Sequence, residues 1–206
     1  SAKTRSTLRR KRRKLETESG GALDIREYRS PQEIEAFLRH ALPLSRQTYQ
    51  ARLLGSGLPE SDAARAAMLE LAQADSLRAY LLFIRGEAAA YLYLPVRDGT
   101  LVYDYLGYAP QFAPLSPGTV LQMEALQRLF AEARYRCFDF TEGEGAHKAL
   151  FGTDSAEACS FFLLDGTPAN RLLLSALSGF DTMTGAASRL ARASGAHARL
   201  RKLLRG

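Results

Sequence analysis

Between residues 78 and 108 the apolar positions gather into three short blocks, RAYLLFIRG, EAAAYLYLPVRDG and TLVYDYLGY. Their length and their content of Tyr, Leu, Phe, Ile and Val predict β-strands rather than helices. Arg85-Gly86-Glu87 and Arg97-Asp98-Gly99 separate them, and an Asp-Gly pair between apolar runs is a strong hairpin signal, so an antiparallel meander is expected. Ahead of it, ALDIREY (22–28) predicts a strand, and Ser30 and Pro31 open a helix through about Leu42 with Ile34, Phe37 and Leu38 on one face. Residues 44–74 continue as helix, broken by GSGLPESD, where Gly55, Gly57 and Pro59 punctuate and Ser61 or Asp62 caps the next helix. After the meander, a helix from Pro117 to about Ala133 is expected to cross over to RCFDF, a strand beside the last meander strand and parallel to it. ACSFFLLD predicts a final strand, and residues 167–204 predict two helices parted at Gly179.

With 206 residues, 46% of them hydrophobic, the chain has enough apolar surface for one substantial α+β core. The expected organisation is a basic helical arm or linker over 1–20, one domain over 21–166 and a basic helical segment over 167–206. No apolar run reaches the roughly 18 residues that span a bilayer, and the basic N-terminal stretch is not followed by the apolar core of a signal peptide. Cys137 and Cys159 sit in apolar, strand-like runs where small buried thiols are common. Neither they nor the scattered His40, His147 and His197 have metal-ligand spacing. A reducing, cytoplasmic setting and no metal are therefore expected.

Charge changes the picture at the two ends. Residues 1–14 carry eight cations and no acid, and residues 189–206 carry six more, which leaves 14 cations against 22 acids between them, a net −8, although the whole chain is +6. Such ends suit RNA or an anionic surface, with steep salt dependence. Leu8 and Leu15, seven apart, give the first segment a thin apolar seam.

The turn before the crossover helix is the first candidate site. Ser116 offers a capping hydroxyl, Pro117 a preset φ for the first helical turn, and Gly118 a backbone that a ligand approaches closely. Orphan N–H groups and the positive pole of the helix make that end an anion site.

Tyr108, Ser116-Pro117-Gly118, Asp139-Phe140, Gly143, Lys148 and Phe151 together resemble the motif run of the FemAB-like and cellulose-biosynthesis-associated branch of the GNAT acyltransferase superfamily. Two positions depart from it: Ala109 replaces an acid that often follows the tyrosine, and His147 stands where tyrosine usually precedes the lysine. The resemblance implies a GNAT fold, a mixed and mostly antiparallel sheet flanked by helices. It further implies acetyl-CoA or another acyl-CoA as co-substrate, its pyrophosphate on Ser116, Pro117, Gly118 and Thr119, and its pantetheine arm in a gap between the strands ending near Tyr108 and Asp139. The implied acceptor is a small-molecule or glycan amine, such as an amino sugar or a cell-envelope precursor. Direct attack of that amine on the thioester needs a base, an oxyanion stabiliser and an acid for the thiolate, but no covalent nucleophile. Asp139, Glu142 and Glu144 are the candidate bases, Lys148 tunes them or clamps an acidic substrate, and Tyr108, with Tyr103 and Tyr105, is a candidate acid. Two other readings stand beside this one: an aminoacyl-tRNA-dependent transferase whose basic ends hold RNA, and a silent GNAT-like docking module. Ser rather than Met at position 1 and the position of the basic segment in that branch imply an upstream GNAT-like half.

Overall fold

Ser30 and Glu33 fix where the first core helix begins. The Ser30 hydroxyl accepts from the Glu33 amide, the Glu33 carboxylate accepts from the Ser30 amide at 2.8 Å, and Pro31 occupies the first helical position. This reciprocal cap satisfies two donors that the helix itself leaves unpaired. Helical spacing then stacks Ile34, Phe37, Leu38 and Ala41 on one buried face, and the helix runs on to Arg46, past the expected Leu42.

The computed structural model describes residues 2–48, 57–143, 145–157, 159, 161 and 163–193. Its helices are α1 (Ala2–Glu18), α2 (Pro31–Arg46), α3 (Asp62–Gln73), α4 (Pro117–Glu132), α5 (Ala146–Phe151) and α6 (Pro168–Ala193). Its strands are β1 (Asp24–Tyr28), β2 (Leu77–Ile84), β3 (Glu87–Arg97), β4 (Thr100–Val102), β5 (Tyr105–Tyr108) and β6 (Cys137–Asp139). The sheet runs β1-β2-β3-β4-β6, with β5 also on β3; every pairing is antiparallel except β4 with β6. All eight residues of β2 are buried, because helices cover both faces of the sheet, and its sequence is accordingly apolar at nearly every position, Arg78 excepted. On one face α2 and α3 bring Ile34, Phe37 and Met68 against Leu81, Tyr91 and Tyr93. On the other, α1 and α4 bring Leu15, Val120, Leu121 and Leu129 against Tyr80, Leu92 and Leu94.

Five expectations change here. The basic N-terminal segment is part of the core rather than an arm: Leu15 is fully buried, Arg12 Nε donates to Glu124 Oε1 at 2.7 Å, and Arg85 Nε donates to the Glu18 carbonyl at 3.0 Å. One apolar residue per two turns suffices when the partner helix supplies the rest of the surface. The chain divides into two units at 156/157 rather than at 166/167. In the second unit, the described residues of ACSFFLLD form no strand. Phe161 and Leu163 are 80% and 92% exposed, and an apolar run without a neighbouring strand has no ladder to join. Gly179 does not break the last helix either: α6 is continuous through it, since one glycine costs a helix only about 1 kcal/mol. Cys137 and Cys159, expected to be buried, are both exposed and free.

Arg78 on β2 ties strands to helix at one edge of the core. Its side chain is wholly buried, with Nη1 donating to Asp75 Oδ1 at 2.8 Å and to the Leu77 carbonyl at 2.7 Å. Arg134 also donates to the Asp75 carboxylate. The two guanidiniums, Arg134 foremost, pull the Asp75 carboxyl down to about 2.

Candidate active site

The expected third meander strand is two strands, and the break between them builds the site. β3 pairs with β4 at Val96↔Leu101 and with β5 at Tyr93↔Tyr105, so three steps along β3 are answered by four on the facing segment. The extra residue makes Tyr103–Asp104 a β-bulge. Residues two apart in a regular strand share a face, yet Tyr103 packs on the α1/α4 side and Tyr105 on the α2/α3 side. The bulge has therefore reversed the facing of the chain. Asp104 sits at this reversal with its side chain 26% exposed, 3.9 Å from Arg97. Burial pushes its carboxyl above the usual aspartate range, and Arg97 only partly offsets this. Asp104 was missed from sequence, although an aspartate in an otherwise apolar strand run is out of place by propensity and was the available signal.

Beyond the bulge the sheet opens. β6 lies on β4 over Thr100–Val102, and the Tyr103 amide donates to the Asp139 carbonyl at 2.8 Å. β5 pairs only with β3, so among the described residues its other edge, Tyr105–Tyr108, carries no strand. Such an edge offers main-chain donors and acceptors to an extended ligand. Its α2-side wall is brought close by Gly107. A Cβ there would lie 2.3 Å from Tyr91 Cε1 and 2.8 Å from Thr48 Cγ2, so only glycine lets these two side chains cross the strand. Tyr91 is itself held by Ser45, 3.1 Å from its hydroxyl, and the Ser45 hydroxyl also accepts from the Leu58 amide at 2.8 Å.

The far end of β5 meets the start of α4, and here the roles of the SPG turn differ from expectation. Ser116 takes a left-handed conformation, φ 54°, and its side chain makes no capping hydrogen bond. Gly118 is buried against β5, where a Cβ would stand 2.9 Å from Leu106 Cδ2 and 3.4 Å from Tyr108 Cδ1. The missing side chain is thus required for helix–strand packing. No acid lies in the first turn of α4, which leaves its positive pole uncompensated beside Thr119.

The expected catalytic residues fall into two groups. Tyr108, 42% exposed, belongs with Ser116, Pro117, Gly118 and Thr119; four strand residues, about 13 Å, separate it from the bulge. Asp139, Glu142 and Lys148 lie together in the loop after β6. The Asp139 carboxylate is exposed rather than buried and accepts from the Thr141 amide at 2.7 Å, closing an Asx turn. Lys148 Nζ donates to the carbonyls of Thr141, at 3.0 Å, and Glu142. Its ammonium staples α5 to the loop rather than facing the Glu142 side chain, which is exposed. Glu144 and the side chain of His147 lie outside the described residues. Phe138 and Phe140, with ring centroids 4.7 Å apart, close over Tyr103 at 6.3 and 5.8 Å. Burial pushes the Tyr103 hydroxyl up to about 12, so it stays protonated. Among the described residues, no group of three or more His, Cys, Asp or Glu is placed to hold a metal ion, and no helix is long and apolar enough to cross a membrane.

A family model described as "Acetyltransferase (GNAT) domain" matches residues 2–149. No curated protein matches significantly. Among solved structures the chain is similar to an aminoglycoside acetyltransferase from an uncultured soil metagenomic sample, solved with sisomicin, at 11% identity and TM-score 0.49, covering 69% of this chain and 95% of that one. It is also similar to an aminoglycoside 6'-N-acetyltransferase from Acinetobacter baumannii, at 14% identity and TM-score 0.48, covering 70% and 100%. A third likeness is to the ribosomal-protein-S18-alanine N-acetyltransferase of Escherichia coli, at 15% identity and TM-score 0.46, covering 63% and 74%.

Proposed function

From the premise that this chain belongs to the GNAT acetyltransferase family, we propose that it transfers an acyl group from acyl-CoA to an amine at the Tyr103–Asp104 bulge. One observation carries the reading. A four-residue strand edge, unpaired among the described residues, connects a raised, partly buried carboxyl at one end with an uncapped helix N-terminus at the other. The pantetheine arm lies along Tyr105–Tyr108 as an added strand, and the pyrophosphate takes the first-turn amides of α4. The thioester then reaches the bulge. A neutral amine attacks its carbonyl, main-chain N–H groups of β5 hold the oxyanion, and Asp104 accepts the proton released as the C–N bond forms. The C–S bond breaks, and Tyr105, on the same side of the sheet as Tyr93, protonates the departing thiolate.

A raised carboxyl suits this role, because a base whose pKa lies nearer the working pH removes an ammonium proton with less mismatch. The acceptor we favour is an amino sugar or another cell-envelope amine. This rests on the run of Ser116-Pro117-Gly118, Asp139-Phe140, Gly143 and Lys148, which resembles the FemAB-like and cellulose-associated branch. The test is thiol release from acetyl-CoA with a panel of amines including glucosamine, on wild type and Asp104→Asn. The substitution is expected to lower kcat by roughly a hundredfold, remove the acidic limb of the rate–pH profile and leave CoA affinity unchanged. Full activity in the variant across that limb takes Asp104 out of the mechanism.

A further inference from the structure

We infer that one flank of α1 supplies the cations that hold the phosphates of the donor nucleotide; this rests on the acyl-CoA reading above. The helix is locked in rotation. Leu15 is fully buried among Val120 and Leu121, and Arg12 is spent on Glu124 and Glu16, at 2.7 and 3.1 Å. With those two positions turned inward, the rest of the surface is not free to choose its direction. Lys14 points to the start of α4: its Nζ donates to the carbonyl of Pro114 at 3.2 Å, two residues before the left-handed turn at Ser116. One bond to a carbonyl leaves an ammonium two further donors.

Lys3, Arg10 and Lys11 precede Lys14 by eleven, four and three residues, spacings that put all four on one flank of a helix. Among the described residues, no carboxylate lies within salt-bridge distance of any of them; in α1 only Arg12, Glu16 and Glu18 take part in ion pairs. A flank of unneutralised cations costs self-repulsion, and its attachment beside an uncompensated helix N-terminus adds to the positive field there. Coenzyme A brings a diphosphate and a phosphomonoester to the neighbourhood of that point. The basic composition of the N-terminal segment, which from sequence suited RNA, is on this account donor recognition by a helix that is integral to the domain.

The test is calorimetric titration of CoA into three proteins at low and at high salt: wild type, Arg10→Gln/Lys14→Gln, and the charge-matched control Arg9→Gln/Arg13→Gln. All four residues are exposed, and the control pair is turned by about 100° round the helix from the tested pair. The inference predicts that the first variant binds CoA tenfold or more weakly at low salt, with a flatter salt dependence, while the control stays within about twofold. Equal affinities in all three proteins, or equal losses in both variants, overturn it and leave the acyl-CoA reading standing. Failure of wild type to bind CoA overturns that reading, and the inference with it. Single-stranded RNA of 20 nucleotides is titrated in parallel; RNA binding lost in the first variant while CoA binding is unchanged assigns the flank to nucleic acid and also overturns the inference.

Discussion

Leu15→Ala is the sharpest test of whether the basic N-terminal helix is structure or appendage. The residue has no solvent exposure and packs into the cluster formed by α4 and the strands. Truncating a fully buried leucine to alanine removes about 2–5 kcal/mol, the transfer of three carbons plus the cavity they leave. Helix propensity works the other way, since alanine is the better helix former by a few tenths of a kcal/mol, so any loss reports packing. For a unit of about 150 residues, roughly 3 kcal/mol lowers Tm by about 6–12 °C. If the helix were a solvated arm, the same change would fall within about 0.5 kcal/mol. The chain has no tryptophan, so urea unfolding is best followed by far-UV circular dichroism. A lower midpoint with an unchanged slope is the expected result. A midpoint within 0.5 kcal/mol of wild type would refute the packing of α1 described above.

Two further outcomes concern carboxylates and pH. Asp104, raised by burial, binds protons more tightly folded than unfolded, so it lowers stability as pH rises through the interval above the ordinary 3.8. Asp104→Asn should therefore be more stable than wild type in urea at neutral pH, with the gain fading below that interval; a less stable variant at pH 7 contradicts the burial. Asp75 has the opposite sign. Its carboxyl is drawn from 3.8 to about 2 by Arg134 and Arg78, so its contribution is complete above about 4 and is lost as pH falls towards 2. Asp75→Asn should show less loss of stability than wild type across that range, and an unaltered acid limb would remove the Arg134–Asp75–Arg78 cluster from the account.

Much of the fold was legible because strong local signals agreed with tertiary demands. Ser30-Pro31-Gln32-Glu33 is a complete cap, and Asp98-Gly99 a turn with positive φ at both residues. The run of β2, apolar but for Arg78, matches a strand covered on both faces. Where local and tertiary signals parted, tertiary contacts decided. Leu8 and Leu15 looked too sparse for a core because α4's contribution to the interface cannot be read from α1. ACSFFLLD has strand composition but no partner strand among the described residues. The SPG turn opens the crossover helix as expected, yet Gly118 serves Leu106 and Tyr108 rather than open space. Asp139 was singled out for lying between two phenylalanines, whereas its carboxylate closes a turn. Asp104 escaped notice because a one-residue bulge leaves no mark on hydrophobic alternation beyond an acid where an apolar or neutral residue would fit.

A crystal structure of the protein soaked with CoA tests the central claim most directly. The pantetheine arm is expected to run along the open edge of β5, hydrogen-bonded to the main chain between Tyr105 and Tyr108, with its thiol end at Asp104 and its diphosphate on the first-turn amides of α4. CoA bound elsewhere on the molecule, or an empty β5 edge at saturating CoA, would contradict the claim.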